Sequence, residues 1–123
     1  MKQGIKHIEF WVSDLKRSDE FYSGLLGILG WERVGIGSFK LGDTKIYMKE
    51  SGKARGDVLG PRHVCFWAES REIVDKAGEF LKGTHAEIIR GPMEVRGGMY
   101  SPGYYTVDFR DTDGYILEVA HTP

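Results

Sequence analysis

Cysteine is almost missing from this chain. Cys65 is the only one in 123 residues, so no intrachain disulfide forms and a reducing compartment is the default. An excess of one charge is missing too: 17 basic residues face 18 acidic ones, for a net charge of −1. A general nucleic-acid or membrane-surface role needs a basic excess, which this composition does not supply. No stretch approaches the roughly 20 apolar residues of a membrane span, and the N-terminus lacks an apolar signal core. The expected setting is the cytoplasm, with neither a nucleic acid nor a membrane as partner. Disorder is excluded because 41% of residues are hydrophobic and 28% charged, an ordinary globular balance. The length predicts one compact unit, able to bury a core without disulfides.

What is present is an internal repeat. His7-Ile8-Glu9-Phe10-Trp11 and His63-Val64-Cys65-Phe66-Trp67 lie 56 positions apart and read His, β-branched, variable, Phe, Trp. Both alternate in polarity as strands do. Side chains two apart share a strand face. His7, Glu9 and Trp11 therefore point one way, as do His63, Cys65 and Trp67 in the second copy. Ile8, Phe10 and Val12, and Val64, Phe66 and Ala68, make the opposite faces apolar enough to pack on a helix.

The rest of the chain repeats in the same order. Residues 5–12 read as a strand, Ser13 or Asp14 as a helix cap, and Leu15, Tyr22, Leu25, Leu26 and Leu29 as the helix's apolar stripe, ended by Gly27 and Gly30. Strands follow at 31–34, 38–41 and 45–49. Residues 51–61, with Gly52, Gly56, Gly60 and Pro61, read as a linker. The second half has a strand at 62–68, a helix capped by Ser70 and ended by Gly83, and a strand at 86–90. A long glycine-rich loop at 91–103 and strands at 104–110 and 115–120 complete it. The prediction is an α+β fold of two βαβββ modules, residues 1–50 and 62–123, whose curved mixed sheets surround a cavity.

His7, His63 and Glu118 sit mid-strand in otherwise apolar runs. Two readings fit them. Each is a core or rim residue with its hydrogen bonds satisfied, or the three form a ligand set for a divalent transition metal, two imidazoles and one carboxylate with positions left open. Spacing alone does not bring the three together. Glu9 shares the face of His7, as a general base or as a hydrogen-bonding partner of that histidine. Trp11 and Trp67 either wall an apolar substrate pocket or pack in the core. Cys65 faces the expected cavity, with a buried structural thiol as the favoured state. Tyr105, Val107 and Phe109 suit the helix-packed face of their strand, so Tyr104, Thr106 and Asp108 face the cavity and suit substrate binding. Arg96, in the glycine-rich loop, is a solvated charge or a cover for an anionic ligand. His85 and His121 fall outside the matched frame and read as surface residues.

The strand-helix-strand-strand-strand repeat resembles the vicinal oxygen chelate superfamily of glyoxalases, bleomycin-resistance proteins and extradiol dioxygenases. The resemblance spans nearly the whole chain. It is carried by 7–15 with Phe21-Tyr22 and Leu26-Gly27, by the second opening at His63, and by 109–114 leading to Leu117-Glu118. It implies a metal ligand from the first and last strand of each module, and hence four slots: His7, Met48, His63 and Glu118. Met48 is a poor ligand for a hard or borderline ion, and Glu50, two residues on, is the alternative. The resemblance implies a divalent ion (Fe, Mn, Ni, Zn or Mg), a small oxygen-chelating substrate, lyase, isomerase or transferase chemistry, and a homodimer. The rival readings are an iron extradiol-type dioxygenase and a metal-free drug-binding protein of the bleomycin-resistance type.

Overall fold

Parallel neighbours in a sheet need a crossover, and in each half of this chain a helix supplies it. The computed structural model describes residues 4–52, 63–98 and 100–123. Its contacts group into two units, Met1–Val58 and Leu59–Pro123. The expected linker falls mostly outside the described residues, as does Arg62 at the start of the second predicted strand.

In the first unit, strand β1 (His7–Val12) leads into helix α1 (Leu15–Ile28). The Asp14 carboxylate accepts from the Arg17 amide at 3.1 Å and satisfies one donor of the helix start. Past the helix, the Gly30 amide donates to the Gly27 carbonyl and the Trp31 amide to the Leu26 carbonyl. This closure turns on Gly30 at φ +89. Strands β2 (Glu32–Gly35), β3 (Ser38–Leu41) and β4 (Thr44–Glu50) complete a sheet of order β1-β4-β3-β2, with β1 and β4 parallel. Phe10, Val12, Phe39, Ile46 and Met48 bury on the helix side with Phe21, Tyr22, Leu25 and Leu26. Each such side chain contributes about 1.5–3 kcal/mol of transfer free energy.

The second unit repeats the plan with β5 (Val64–Trp67), α2 (Arg71–Gly83), β6 (Ile88–Glu94), β7 (Tyr105–Arg110) and β8 (Ile116–His121). Its sheet order is β5-β8-β7-β6, with β5 and β8 parallel. Phe66, Val107, Phe109, Leu117 and Val119 bury with Val74, Ala77 and Leu81 of α2. The β7–β8 turn is tied by the Asp111 carboxylate, which accepts from the Asp113 and Tyr115 amides at 2.8 and 2.9 Å. No helix among the described residues is long and apolar enough to cross a membrane.

One expectation changes. The segment predicted to leave the sheet after residue 90 stays in it: β6 runs to Glu94, through Gly91 and Pro92. β6 is an edge strand, where proline is tolerated. Its pairing with β7 shifts between Ile88 and Arg90 and again between Arg90 and Met93. Each shift inserts an extra residue on β6 and turns its side chains over. Ile88 thus pairs with Phe109, whereas Arg90 pairs with Asp108 on the opposite face.

Gly91 makes this path possible. It has φ +86, and a Cβ there would lie 2.2 Å from the Thr106 carbonyl oxygen. Gly91→Ala is expected to cost at least about 2 kcal/mol of stability, read as a lower urea midpoint; an unchanged midpoint would contradict the bulged path.

Candidate functional site

In each unit the helix covers one face of the sheet and the other face carries the polar residues. In the second unit that open face centres on Glu118. The sequence puts a carboxylate between Leu117 and Val119 on a strand paired on both sides, and the residue is only 5% exposed. A buried carboxylate must be well supplied with donors. Glu118 Oε2 accepts from the Tyr104 hydroxyl at 2.5 Å and from the Thr106 hydroxyl at 2.7 Å. Oε1 lies 3.1 Å from His63 Nε2. Burial pushes the Glu118 carboxyl upward in pKa, but the Tyr104 and Thr106 hydrogen bonds, with His63 and Arg90 nearby, outweigh it. The group is held below the ordinary glutamate range. Loss of hydration and the bond to Glu118 push the Tyr104 phenol upward, so it stays a donor.

The separation of 3.1 Å fits two chemical states. It is an imidazole–carboxylate hydrogen bond, and it is also close to the edge between two neighbouring ligands of one ion. Bonds of about 2.1 Å at 90–109° put donor atoms about 3.0–3.4 Å apart. The donor types, imidazole nitrogen and ionised carboxylate, fit a divalent ion. Tyr104 and Thr106 occupy Oε2 and leave Oε1 facing the histidine. Among the described residues, no group of three or more His, Cys, Asp and Glu side chains is arranged to hold a metal. The second unit alone therefore brings together two of the three expected ligands.

His7 belongs to the first unit, where it is exposed and packs edge-on against Tyr47, ring centroids 5.7 Å apart. The strand registers correct the expected fourth slot. Cys65 pairs with Glu118 across β5 and β8, and Glu9 pairs with Tyr47 across β1 and β4. Since Glu9 is the repeat partner of Cys65, the counterpart of Glu118 is Tyr47, not Met48. Met48 is buried on the helix side. Glu50 lies on that side too and accepts from the Leu15 amide at 3.0 Å, at the start of α1. Neither residue shares a face with His7.

The other expected residues fall as follows. Glu9 is exposed beside His7 on β1. Trp11 is 42% exposed and Trp67 75%, so neither is core. Trp67 lines a cavity of about 260 Å³ with Cys65, Phe66, Tyr104 and Ala120. Cys65 is exposed rather than buried, and lost hydration at its sulfur together with the Glu118 charge pushes its thiol up to about 12. It is therefore no thiolate nucleophile near neutral pH. Thr106 is fully buried, with its hydroxyl on Glu118. Asp108 is ion-paired to Arg90 at 2.8 Å. Arg96 pairs with Glu94. His121, expected at the surface, is half-buried with Nδ1 3.0 Å from the Ala68 carbonyl.

Sequence reasoning missed Arg90 and Tyr100. A second cavity, of about 490 Å³, is lined by His63, Ile89, Arg90, Tyr100, Tyr104, Asp108 and Glu118. Strict alternation from Ile88 would have sent Arg90 to the helix side, and only the bulge reverses it.

A βαβββ unit present twice, with His63 at the head of the second unit's first strand meeting Glu118 of its last strand on the open sheet face, defines a class of two-module α+β proteins. The chain belongs to the Glyoxalase/Bleomycin resistance protein/Dioxygenase superfamily, whose profile matches residues 4–119. A candidate glyoxalase of Bacillus halodurans is similar in structure, with TM-score 0.77, 26% identity, and 96% of this chain and 95% of that chain covered. A glyoxalase/bleomycin resistance protein of Albidiferax ferrireducens T118 matches with TM-score 0.76, 22% identity, and 97% and 98% covered. A lactoylglutathione lyase of Agrobacterium tumefaciens matches with TM-score 0.65, 18% identity, and 98% and 94% covered. The last two likenesses are of fold. No curated protein matches the chain.

Because Glu118 has a lowered pKa in the folded protein, its contribution to stability is full above the unfolded value and is lost as pH falls through the folded value. Thr106→Val removes one donor without changing side-chain size much. It is expected to cost about 1–3 kcal/mol at neutral pH and, because it brings the folded-state pKa of Glu118 up toward the unfolded value, to reduce the stability lost between pH 7 and pH 3. Chemical denaturation from pH 7 to pH 3 checks this, and equal midpoints for both proteins throughout would contradict it.

Proposed function

We propose that the chain is a divalent-metal-dependent enzyme of the glyoxalase superfamily, a lyase, isomerase or transferase acting on a small molecule with two neighbouring oxygens. The observation that supports it most is the state of Glu118: buried, ionised, fixed through Oε2, and presenting Oε1 beside His63 Nε2. His63 and Glu118 would hold the ion, with His7 as third ligand from a first unit, of the same chain or of a second copy in a homodimer. Held there, a divalent ion would supply Lewis-acid stabilisation of an enolate-like or oxyanionic charge.

The chain's own residues do the rest. Thr106 and Tyr104 lock the carboxylate in one orientation, so it needs no reorganisation when a ligand arrives. Tyr104 keeps its proton and lines the 260 Å³ cavity as well as the 490 Å³ one. Glu9, exposed beside His7, is the candidate base for a substrate proton. Trp67 offers an apolar wall to the non-reacting part of a substrate, and Trp11 offers another on the first unit.

A metal-free binding protein is the second reading. The 75% exposure of Trp67 beside an apolar-lined cavity favours it, since an exposed tryptophan suits an apolar ligand.

Elemental analysis of protein purified without chelator separates the two. The enzyme reading predicts a stoichiometric divalent ion in the wild type, reduced at least about tenfold in His63→Ala, because losing one of a few ligands costs well over 1.4 kcal/mol. Protein without metal that still binds a drug-like molecule would contradict it. Iron together with oxygen uptake would move the assignment to a dioxygenase.

A further inference from the structure

The second unit's larger cavity holds a cation that the ligand set does not use. Arg90 lines it together with His63 and Glu118. Its guanidinium Nε donates to Asp108 Oδ2 at 2.8 Å and Nη2 donates to the Tyr100 hydroxyl at 3.2 Å. Those bonds use two of the five N–H donors that arginine carries. The guanidinium also sits over the Tyr100 ring, 5.6 Å from its centroid. Its side chain is 33% exposed and that of Asp108 16%, so the pair is screened from bulk water yet open to the cavity.

Charge sets what this cavity accepts. Its lining carries two carboxylates, Asp108 and Glu118, and one guanidinium. With neutral His63 the sum is −1, which repels anions. A dication on His63 and Glu118 changes the sum to +1, and the charge balance then favours a monoanion. Arginine is suited to that task because its planar fork matches the paired oxygens of a compact oxyanion. Asp108 holds the fork in place and weakens its field. Ile89, Tyr100 and Tyr104 supply apolar surface alongside, with the two tyrosine rings 5.0 Å apart.

We propose that Arg90 is a specificity-determining residue that takes the oxyanion of a small anionic substrate, a carboxylate in the first instance, in the cavity it shares with His63 and Glu118. The proposal rests on the metal-enzyme reading for the charge balance. The contact with Arg90 itself needs no metal.

The test is a binding titration by NMR on the full chain, as purified and after loading with Mg²⁺. The probes are pyruvate, inorganic phosphate and the uncharged hydroxyacetone. Wild-type protein is expected to bind pyruvate at least about tenfold more tightly than hydroxyacetone, as a charge-assisted hydrogen bond contributes. Arg90→Met should erase that preference, and Arg90→Lys should keep part of it. Asp108→Asn frees the guanidinium and removes a negative charge, so it should tighten pyruvate binding about tenfold. That increase is the readout a structural ion pair does not give, and it decides the matter if Arg90→Met fails to fold. Phosphate binding more tightly than pyruvate, with the same dependence on Arg90, supports the oxyanion site and assigns it to a phosphoryl group.

The proposal is overturned if Arg90→Met keeps the preference, or if Asp108→Asn weakens pyruvate as Arg90→Met does. Stoichiometric metal with a preference indifferent to Arg90 sinks this inference alone. An Arg90-dependent preference in protein that holds no metal sinks the metal reading alone.

Discussion

An ionised carboxylate inside a sheet sets the terms for the second half of this protein. Stripping water from Glu118 costs several kcal/mol, and the fold answers with donors rather than with a proton. Tyr104 and Thr106 both turn toward Oε2, and His63 faces Oε1. Each charge-assisted bond returns about 1.5–3 kcal/mol, and together they leave the carboxyl below its ordinary range. The tight turn tied by Asp111 fixes the register between β7 and β8, and so places Thr106 and Glu118 within reach of one another. A slip of one residue would turn Glu118 into the packed face of α2.

The same frame is used differently in the first unit. The position that holds Glu118 in β8 holds Tyr47 in β4, and the histidine beside it meets a ring edge instead of a carboxylate. Two copies of one backbone plan have therefore diverged in the partner offered to the first-strand histidine. The second copy is built around charge. The first keeps its open face exposed, with His7, Glu9 and Trp11 along β1.

Most of the architecture was legible because it rests on local rules. Alternation in the two opening strands, the Asp14 and Ser70 caps and the Asp111–Gly114 turn each act within a few residues. The open-face placement of Tyr104, Thr106 and Asp108 followed from period two, and the structure puts all three on the side of Glu118. Two features escaped because they break that period or depend on register. Met48 was aligned with Glu118 by counting from similar turns, whereas pairing across the sheet selects Tyr47. Arg90 was hidden by a bulge at residue 89, and the strand beyond it by Gly91 and Pro92, which normally punctuate loops. Thr106 was seen facing the right way, but its burial behind Glu118 comes from three-dimensional packing.

The ionisation of Glu118 is the central claim, and its side-chain carboxyl carbon reports it directly. A ¹³C NMR titration, with the resonance assigned by its loss in Glu118→Gln, should give a folded-state pKa below that of the exposed glutamates of the same protein. A value above them would mean that burial wins over the hydrogen bonds, that the group holds a proton near neutrality, and that the site is not the anionic ligand described above.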